Sequence, residues 1–445
     1  MPGGLLHGPD AAIDGLAAAV GAFIADRLRH EPPLGRRGSP ELMGSALQGA
    51  ITEAGIGAAA AWELFADRVV PNTIAIDSTR FLAFIPMSPS AASVWMDAAM
   101  AAASFSAESW LEAAGAVAAE VQVLELLADA AGMPAGAGGC FMSGGSVGNL
   151  SALAVGRAGA GGRRGVAVAD TAHASVRNAI ALLGLEAVVI ATGAKARLTG
   201  AAVRAAIGAR TDVGIVVASA GSTNAGIIDD LAGTADVADE LGAWLHVDGA
   251  YGAAAMLLPE MRAAFAGIER ADSLIVDPHK WLFAPAGSCA LLYRRPQLAA
   301  AVHTQRGPYI DVLHAEGETF NPCDLGYQLT RRPSGLPLWF ALAVHGLEAH
   351  RQAIRAGISL AAEAADRLGA LPGVEVVMRP QLGVVLFRRV GWGKARWQVW
   401  ATQLLDAGTA FVAPTTFRGE PVGRLVFMHP LTSRSLIDEL AASLA

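Results

Sequence analysis

Charge is scarce in this chain. Only 16% of its 445 residues are Asp, Glu, Lys or Arg, and they sum to −7. No basic footprint exists for a polyanion to follow, which argues against nucleic acid as a partner. Cysteine is scarcer still: Cys140, Cys289 and Cys323 stand far apart with no CxxC among them. Neither a zinc knuckle nor a disulfide framework is expected, and no metal site. Uninterrupted apolar runs of membrane-spanning length are missing, so no membrane partner is expected. The opening, MPGGLLHGPDAAIDGL, lacks the basic-then-apolar order of a signal peptide, and Asp10 and Asp14 interrupt it. A soluble cytoplasmic protein is the default expectation.

What is abundant is apolar: 53% of the residues are hydrophobic, enough for a large core and far from a disordered composition. The length allows two domains, or one large domain with an appendage. From residue 1 to about 75 the pattern is helical, with AAIDGLAAAVGAFIADRL and ELMGSALQGAITEAG on either side of a break at EPPLGRRGSP. From about 140 to 295, short β-rich runs alternate with Ala-rich helical stretches: GVAVAD, AVVIAT, GIVVASA, AWLHVDGA, SLIVDP and CALLYRR. That alternation implies βαβ units and a mostly parallel sheet, an α/β fold. Residues 296–337 are irregular, and a long loop of that kind is often functional. After LWFALAVHGLEAHRQAI come VEVVMRP, GVVLFRRV, a helix, GRLVFMHP and a last helix. The expected organisation is a helical segment over 1–75, a large domain over 76–340 and a smaller α+β domain over 341–445.

Polar residues gather where the strands end, the edge at which open α/β sheets bind ligands. In FMSGGSVGNLSALAVGR, Ser143-Gly144-Gly145-Ser146 precede a helical run, so N–H groups and hydroxyls converge on a helix N-terminus suited to a phosphate. Neither a P-loop GK[ST] nor a dinucleotide fingerprint is present, and a plain turn with an N-cap would explain this stretch taken alone. In AWLHVDGAYGAA, Asp248 ends an apolar strand and Gly249 and Ala250 permit close approach of a flat ligand. A carboxylate there raises the pKa of a ring nitrogen, although a strand-end aspartate also caps turns. His173 in ADTAHASVRNAI is placed to stack on a planar ring or to serve as a structural histidine, and Ser222 and Thr223 in ASAGSTNAGIID are either ligands or turn formers. In LIVDPHKWLF, an acid, an imidazole and an amine (Asp277, His279 and Lys280) follow a strand and are walled by Trp281 and Phe283. A buried lysine is costly unless paired, neutral or chemically modified.

Singly these signals are modest; jointly they describe one site. A phosphate cradle, a ring-stacking histidine, a hydroxyl, a carboxylate and a lysine occur at successive strand ends, the set that pyridoxal phosphate requires. Lys280 is tolerated at its strand end because its amine is expected to be held in a Schiff base.

On HVDGAYG and VDPHKWLFAP, supported by SGGSVGN, TAHAS and LTRRPSGLPLWF, the chain resembles the group II pyridoxal-phosphate-dependent decarboxylases. That family includes the aromatic-L-amino-acid, histidine and glutamate decarboxylases. The likeness runs from FLAFIPMSPS at 81 to GRLVFMHPLTS near the C-terminus. It implies fold type I: a large domain on a mainly parallel seven-stranded sheet, a smaller α+β domain, and an N-terminal helical segment that wraps a partner subunit. It implies a homodimer with shared active sites. By resemblance, Lys280 carries the cofactor, His279 lies near the phosphate, Asp248 pairs with the pyridine nitrogen and Ala250 packs on the ring. His173 is the stacking histidine, Thr223 the hydroxyl near the ring oxygen, and Gly145, Ser146 and Asp277 form the phosphate environment. The catalytic set is then Lys280, His173 and Asp248.

The resemblance also implies the reaction: decarboxylation of an L-amino acid through an aldimine and a quinonoid, followed by protonation of the α-carbon. Relatives carry a tyrosine for that proton on the loop before the RR pair, often after an aspartate. Here NPCDLGYQLTRR reads Asp324-Leu325, and leucine donates no proton; Tyr327 stands two residues on. Phe84, Ile85, Pro86, Met87 and Phe105 are expected to line an apolar substrate pocket, with plain core as the alternative for Ile85 and Phe105. The expected substrate is an apolar or aromatic L-amino acid. Leu325 keeps open a decarboxylation-dependent oxidative deaminase that forms an aldehyde, or a related carbon–carbon lyase. A catalytically retired cofactor-binding dimer is the rival outside the enzymes.

Overall fold

The computed structural model of the chain describes residues 11–314 and 320–444. Seven strands form the larger sheet: β1 (Gly138–Met142), β2 (Gly165–Ala169), β3 (Glu186–Ile190), β4 (Val213–Ser219), β5 (Trp244–Asp248), β6 (Ser273–Val276) and β7 (Cys289–Tyr293). Their spatial order is β1-β7-β6-β5-β4-β2-β3. Strand β7 runs against both neighbours, and every other pairing is parallel. The mainly parallel α/β sheet expected from the sequence is therefore present. Strands β2, β4, β5, β6 and β7 are buried at every position, because helices cover both faces. Hence they read as continuous apolar runs rather than alternating ones.

Parallel direction has a functional consequence. The carboxyl ends of β1, β2, β4, β5 and β6 all open on one edge of the sheet, so the polar residues that follow them converge there. The segment carrying Arg331 is tied to this edge from below. Arg331 donates to Glu120 Oε2 at 2.5 Å and to the Phe141 carbonyl at 3.0 Å, while Glu120 Oε1 accepts from Gly335 N–H at 2.8 Å. Both side chains are buried, and breaking such a pair from one side leaves an uncompensated charge.

A second, antiparallel sheet has the order β10-β11-β9-β8, from β8 (Val374–Val376), β9 (Val384–Arg389), β10 (Thr415–Phe417) and β11 (Glu420–Val426). Helices Leu336–Gly369, Lys394–Asp406 and Arg434–Ala442 cover it around a separate apolar core that includes Leu360, Phe387, Trp397, Trp400 and Leu440. The long helix breaks at Gly346, whose φ of 78° departs from helical geometry.

Of the segment 1–75, residues 1–10 lie outside the described residues. The remainder holds helices Ala11–Arg27, Pro40–Ala46 and Ala58–Leu64. The latter two bury no side chain. Phe23 meets Trp62 and Phe65 edge-on with centroids 5.8 Å apart, and Arg27 grips Asp77 through two hydrogen bonds. Among the described residues no helix is long and apolar enough to cross a membrane, and no cluster of three or more His, Cys, Asp or Glu could hold a metal ion.

Candidate active site

Strand β1 turns through Ser143 and Gly144 into the helix Gly145–Gly159. Gly145 is required by a close approach: a Cβ there would stand 2.7 Å from Asp277 Oδ2. The N–H groups of Gly145 and Ser146 find no acceptor among the described residues, and they lie at a helix N-terminus, where the dipole favours an anion. Gln328 closes the turn, its Oε1 accepting from Ser143 N–H at 2.9 Å.

Strand β5 ends in the buried Asp248. Its Oδ2 accepts from Asn149 Nδ2 and its Oδ1 from Ala250 N–H, each at 3.2 Å. Strand β6 delivers Asp277 to the N-cap of the short helix Pro278–Trp281. Lys280 Nζ lies 2.9 Å from Asp277 Oδ2, with His279 Nε2 3.9 Å from the same oxygen. Asp277 Oδ1 is buried with no hydrogen-bond partner among the described residues. Burial disfavours the Lys280 ammonium, but the charge of Asp277, its hydrogen bond and the charge of Asp248 outweigh that, and the amine's pKa is raised. Beneath the lysine, Trp281 stacks on Tyr251 with centroids 5.2 Å apart. Of the expected wall around the DPHK turn, Trp281 packs on Tyr251, whereas Phe283 lines a different cavity.

His173 caps the helix Ala174–Leu182. Its Nδ1 accepts from Ser175 N–H at 3.2 Å and lies 2.7 Å from Ser175 Oγ, which leaves the proton of the neutral ring on Nε2.

All nine residues expected around the cofactor (Gly145, Ser146, His173, Thr223, Asp248, Ala250, Asp277, His279 and Lys280) line one cavity of about 530 Å³. Pyridoxal phosphate suits this donor set: unpaired N–H groups for the phosphate, a carboxylate at depth, and a lysine beside it. A second cavity of about 530 Å³ lies between the first helix and Phe283 and His350, and no lysine lines it.

The apolar positions fare differently. Met87 lines the cavity, whereas Phe84, Ile85, Pro86 and Phe105 do not. Ile85 packs against the main core, Pro86 is buried, and Phe84 and Phe105 are 59% and 45% exposed. Phe84 sits in the left-handed region at φ 48°, with its carbonyl accepting from Arg424 at 2.7 Å.

Leu325, the loop position matched to the relatives' tyrosine, does not line this cavity either. It is only 5% exposed and belongs to the main core, where neighbouring Gly326 abuts Met142 and Cys140. No described residue from 304 to 327 lines the cavity, and Tyr327 is 68% exposed. Tyr251 does line it, with its hydroxyl oxygen accepting from Gly383 N–H at 2.8 Å and its own proton left to donate. Leu325→Tyr is therefore expected to overpack the core at a cost of about 1–3 kcal/mol. Chemical denaturation checks this, and an undiminished stability would contradict it.

Two further polar residues join this site by hydrogen bonds: Asn149, which lines the cavity and meets Asp248, and His246, which meets Asn149. Their signals, the Asn of SGGSVGN and the His of HVDGAYG, lie inside the motifs themselves.

Comparison with known proteins agrees with this geometry. Residues 64–390 match the family model described as the pyridoxal-dependent decarboxylase conserved domain. An aromatic-L-amino-acid decarboxylase of Bacillus atrophaeus is 34% identical over 391 residues, covering 83% of this chain and 81% of that one. Tryptophan decarboxylase 1 of Oryza sativa subsp. japonica is 30% identical, covering 74% of this chain and 70% of its own. The crystal structure of Oryza sativa TDC with PLP and tryptamine superposes with a TM-score of 0.91 at 25% identity, over 99% of both chains. The chain belongs to the pyridoxal-dependent decarboxylases of fold type I, with pyridoxal phosphate as its cofactor.

Proposed function

We propose that this enzyme decarboxylates an aromatic L-amino acid. The observation that carries the reading is the placement of Lys280, Asp248 and His173 around one cavity. The substrate class is supported by the named activities of the relatives above. It is also supported by the cavity lining, where among the described residues of the chain no arginine stands to pair with an acidic side chain.

When bound, pyridoxal phosphate supplies an electron sink for the pair left on the α-carbon as CO2 departs. Lys280 would provide the amine that anchors the cofactor, with Asp277 holding that amine in place. The Gly145 and Ser146 N–H groups, with His279, would hold the phosphate. Asp248 would keep a proton on the ring nitrogen by its charge. Ala250 and His173 would hold the ring, and Thr223 its hydroxyl. His173, with its proton on Nε2, would supply a proton donor for the α-carbon.

The test incubates purified enzyme with each proteinogenic amino acid and measures CO2, amine, aldehyde, ammonia and peroxide. Amine and CO2 from Trp, Tyr or Phe are expected; turnover confined to acidic or basic amino acids would overturn the substrate class. Aldehyde with ammonia and peroxide would support oxidative deamination instead. That second reading is favoured by one fact: the described tyrosine that lines the cavity, Tyr251, is 2% exposed, and burial pushes its hydroxyl's pKa up, which makes it a poorer proton donor.

The working unit in this reading is a homodimer with shared sites. The N-terminal segment leaves large apolar side chains uncovered, including Leu42, Leu47 and Ile51, and neighbouring exposed apolar groups of this kind mark an interaction face. Sedimentation is expected to give a dimer, and an active, cofactor-loaded monomer at working concentration would contradict it.

A further inference from the structure

Trp244, His246 and Asp248 alternate onto one face of β5. His246 is 0% exposed and lies outside the cavity lining. It nevertheless sits in a continuous chain of hydrogen bonds that reaches the cavity. Trp244 Nε1 is 2.8 Å from Ser273 Oγ, which is 2.9 Å from His246 Nδ1. His246 Nε2 is 2.8 Å from Asn149 Oδ1. The Asn149 amide nitrogen then reaches Asp248 Oδ2 at 3.2 Å and Ser175 Oγ at 3.0 Å, and Ser175 Oγ meets His173 Nδ1.

The direction of this chain is set from both ends. An indole N–H only donates, so Ser273 accepts from Trp244 and has its own proton free for His246 Nδ1. At the other end a carboxylate only accepts, so the NH2 of Asn149, and not its oxygen, must face Asp248. Asn149 Oδ1 is then left facing His246 Nε2, which must carry a proton. Burial pushes the imidazole well below its ordinary pKa, with the Asp248 charge opposing, so the ring is neutral and Nε2–H is its single tautomer. No protonation state need change for the chain to hold.

We propose that His246 is a positioning residue: by donating Nε2–H to Asn149 it locks one amide that orients both Asp248 and His173 toward the cofactor. Asn149 is the branch point. One of its hydrogens holds the carboxylate beneath the ring nitrogen, and the other occupies Ser175 so that the serine hydroxyl points at His173 Nδ1. The same lock thus fixes the anionic partner of the cofactor and keeps the His173 proton on Nε2. The inference rests on the reading that Asp248 serves the ring nitrogen.

The test compares wild type, His246→Phe and His246→Gln by two measurements: cofactor affinity of the apoprotein, and the pH midpoint of the bound cofactor's near-visible absorbance. Phenylalanine fills the same space but donates nothing, whereas the glutamine amide NH2 reaches the place of Nε2. His246→Phe is expected to weaken cofactor binding about tenfold or more, the consequence of leaving a buried acceptor unpaired. Its midpoint is expected to rise by roughly one pH unit, because a less firmly protonated ring nitrogen depresses neighbouring ionisations less. His246→Gln is expected to restore both. Wild-type affinity and midpoint in His246→Phe would overturn the proposal, and so would a glutamine variant as impaired as the phenylalanine one. If His246→Phe fails to fold, His246→Leu decides, since it is smaller and equally without a donor for Asn149 Oδ1. An upward midpoint shift there supports the lock, and an unchanged midpoint overturns it. Asp248→Asn in the same titration separates the two readings: if it leaves the midpoint unmoved, the role of Asp248 itself is wrong. If it moves the midpoint while His246→Phe does not, only the role of His246 is wrong.

Discussion

Replacing Lys280 with alanine is expected to abolish covalent retention of pyridoxal phosphate and to lower turnover by about 10³-fold or more, as when one member of a catalytic unit is removed. The chain contains three lysines, Lys195, Lys280 and Lys394, and the other two are exposed and away from the cavity. Borohydride reduction followed by peptide mass analysis should therefore find the cofactor on one lysine-containing peptide in the wild type and on none in the variant. Equal trapping in both proteins would refute the assignment. Alanine has a second effect, because Asp277 is 2% exposed and Lys280 is its ion-pair partner. Stranding a buried carboxylate costs about 3–5 kcal/mol, so lost activity alone would be ambiguous. Lys280→Arg removes the ambiguity: it keeps a cation near Asp277 but offers no amine for the bond. It should melt close to wild type and still trap nothing.

Strands β2, β4, β5, β6 and β7 are legible in the sequence because they are buried on both faces, and each appears as an apolar run ended by polar punctuation; β3 is legible from its apolar run alone, although most of it is exposed. Strand β1 escapes that pattern. Gly138-Gly139-Cys140-Phe141-Met142 has no β-branched residue, and Gly139 is present because a Cβ would collide with the backbone of Leu291 on β7. That constraint belongs to the pairing and leaves no periodicity to read. Strand β10 is three residues long, too short for any alternation to show. The site follows the same division. Lys280, Asp248 and His173 stand at strand ends, where a charged or polar group interrupts an apolar run. Asn149 lies inside a helix and His246 inside a strand, and each read singly is an ordinary satisfied core residue. Their partnership spans 97 residues of chain and exists only because the helix after β1 packs on β5. The burial of Leu325 was illegible for the converse reason: matching residues along a loop to its relatives fixes order, not burial, and the packing of Gly326 on β1 draws its neighbour into the core.

Asp248→Asn is expected to keep the fold, bind cofactor more weakly, and lose about 10²–10³-fold in kcat, the range seen when a preorganised charge partner is removed. Two separate effects add. Loss of the charge removes what holds the ring nitrogen protonated, and with it most of the pull on electrons leaving the α-carbon. The amide is also misfitted locally. Both oxygens of Asp248 accept hydrogen bonds, one from Asn149 Nδ2 and one from Ala250 N–H. An asparagine must turn its NH2 against one of these donors, and whichever it chooses loses its acceptor. Should it turn toward Asn149, that amide is driven to flip, and its NH2 then faces the Nε2–H of His246. The disturbance therefore travels outward to a residue that never meets the cofactor. Steady-state kinetics separate the contributions: a fall in kcat with KM little changed reports the lost charge, and a fall in cofactor affinity reports the misfit. Turnover within a few-fold of wild type would show that the ring nitrogen is held by some other group and that Asp248 is only a strand-end cap.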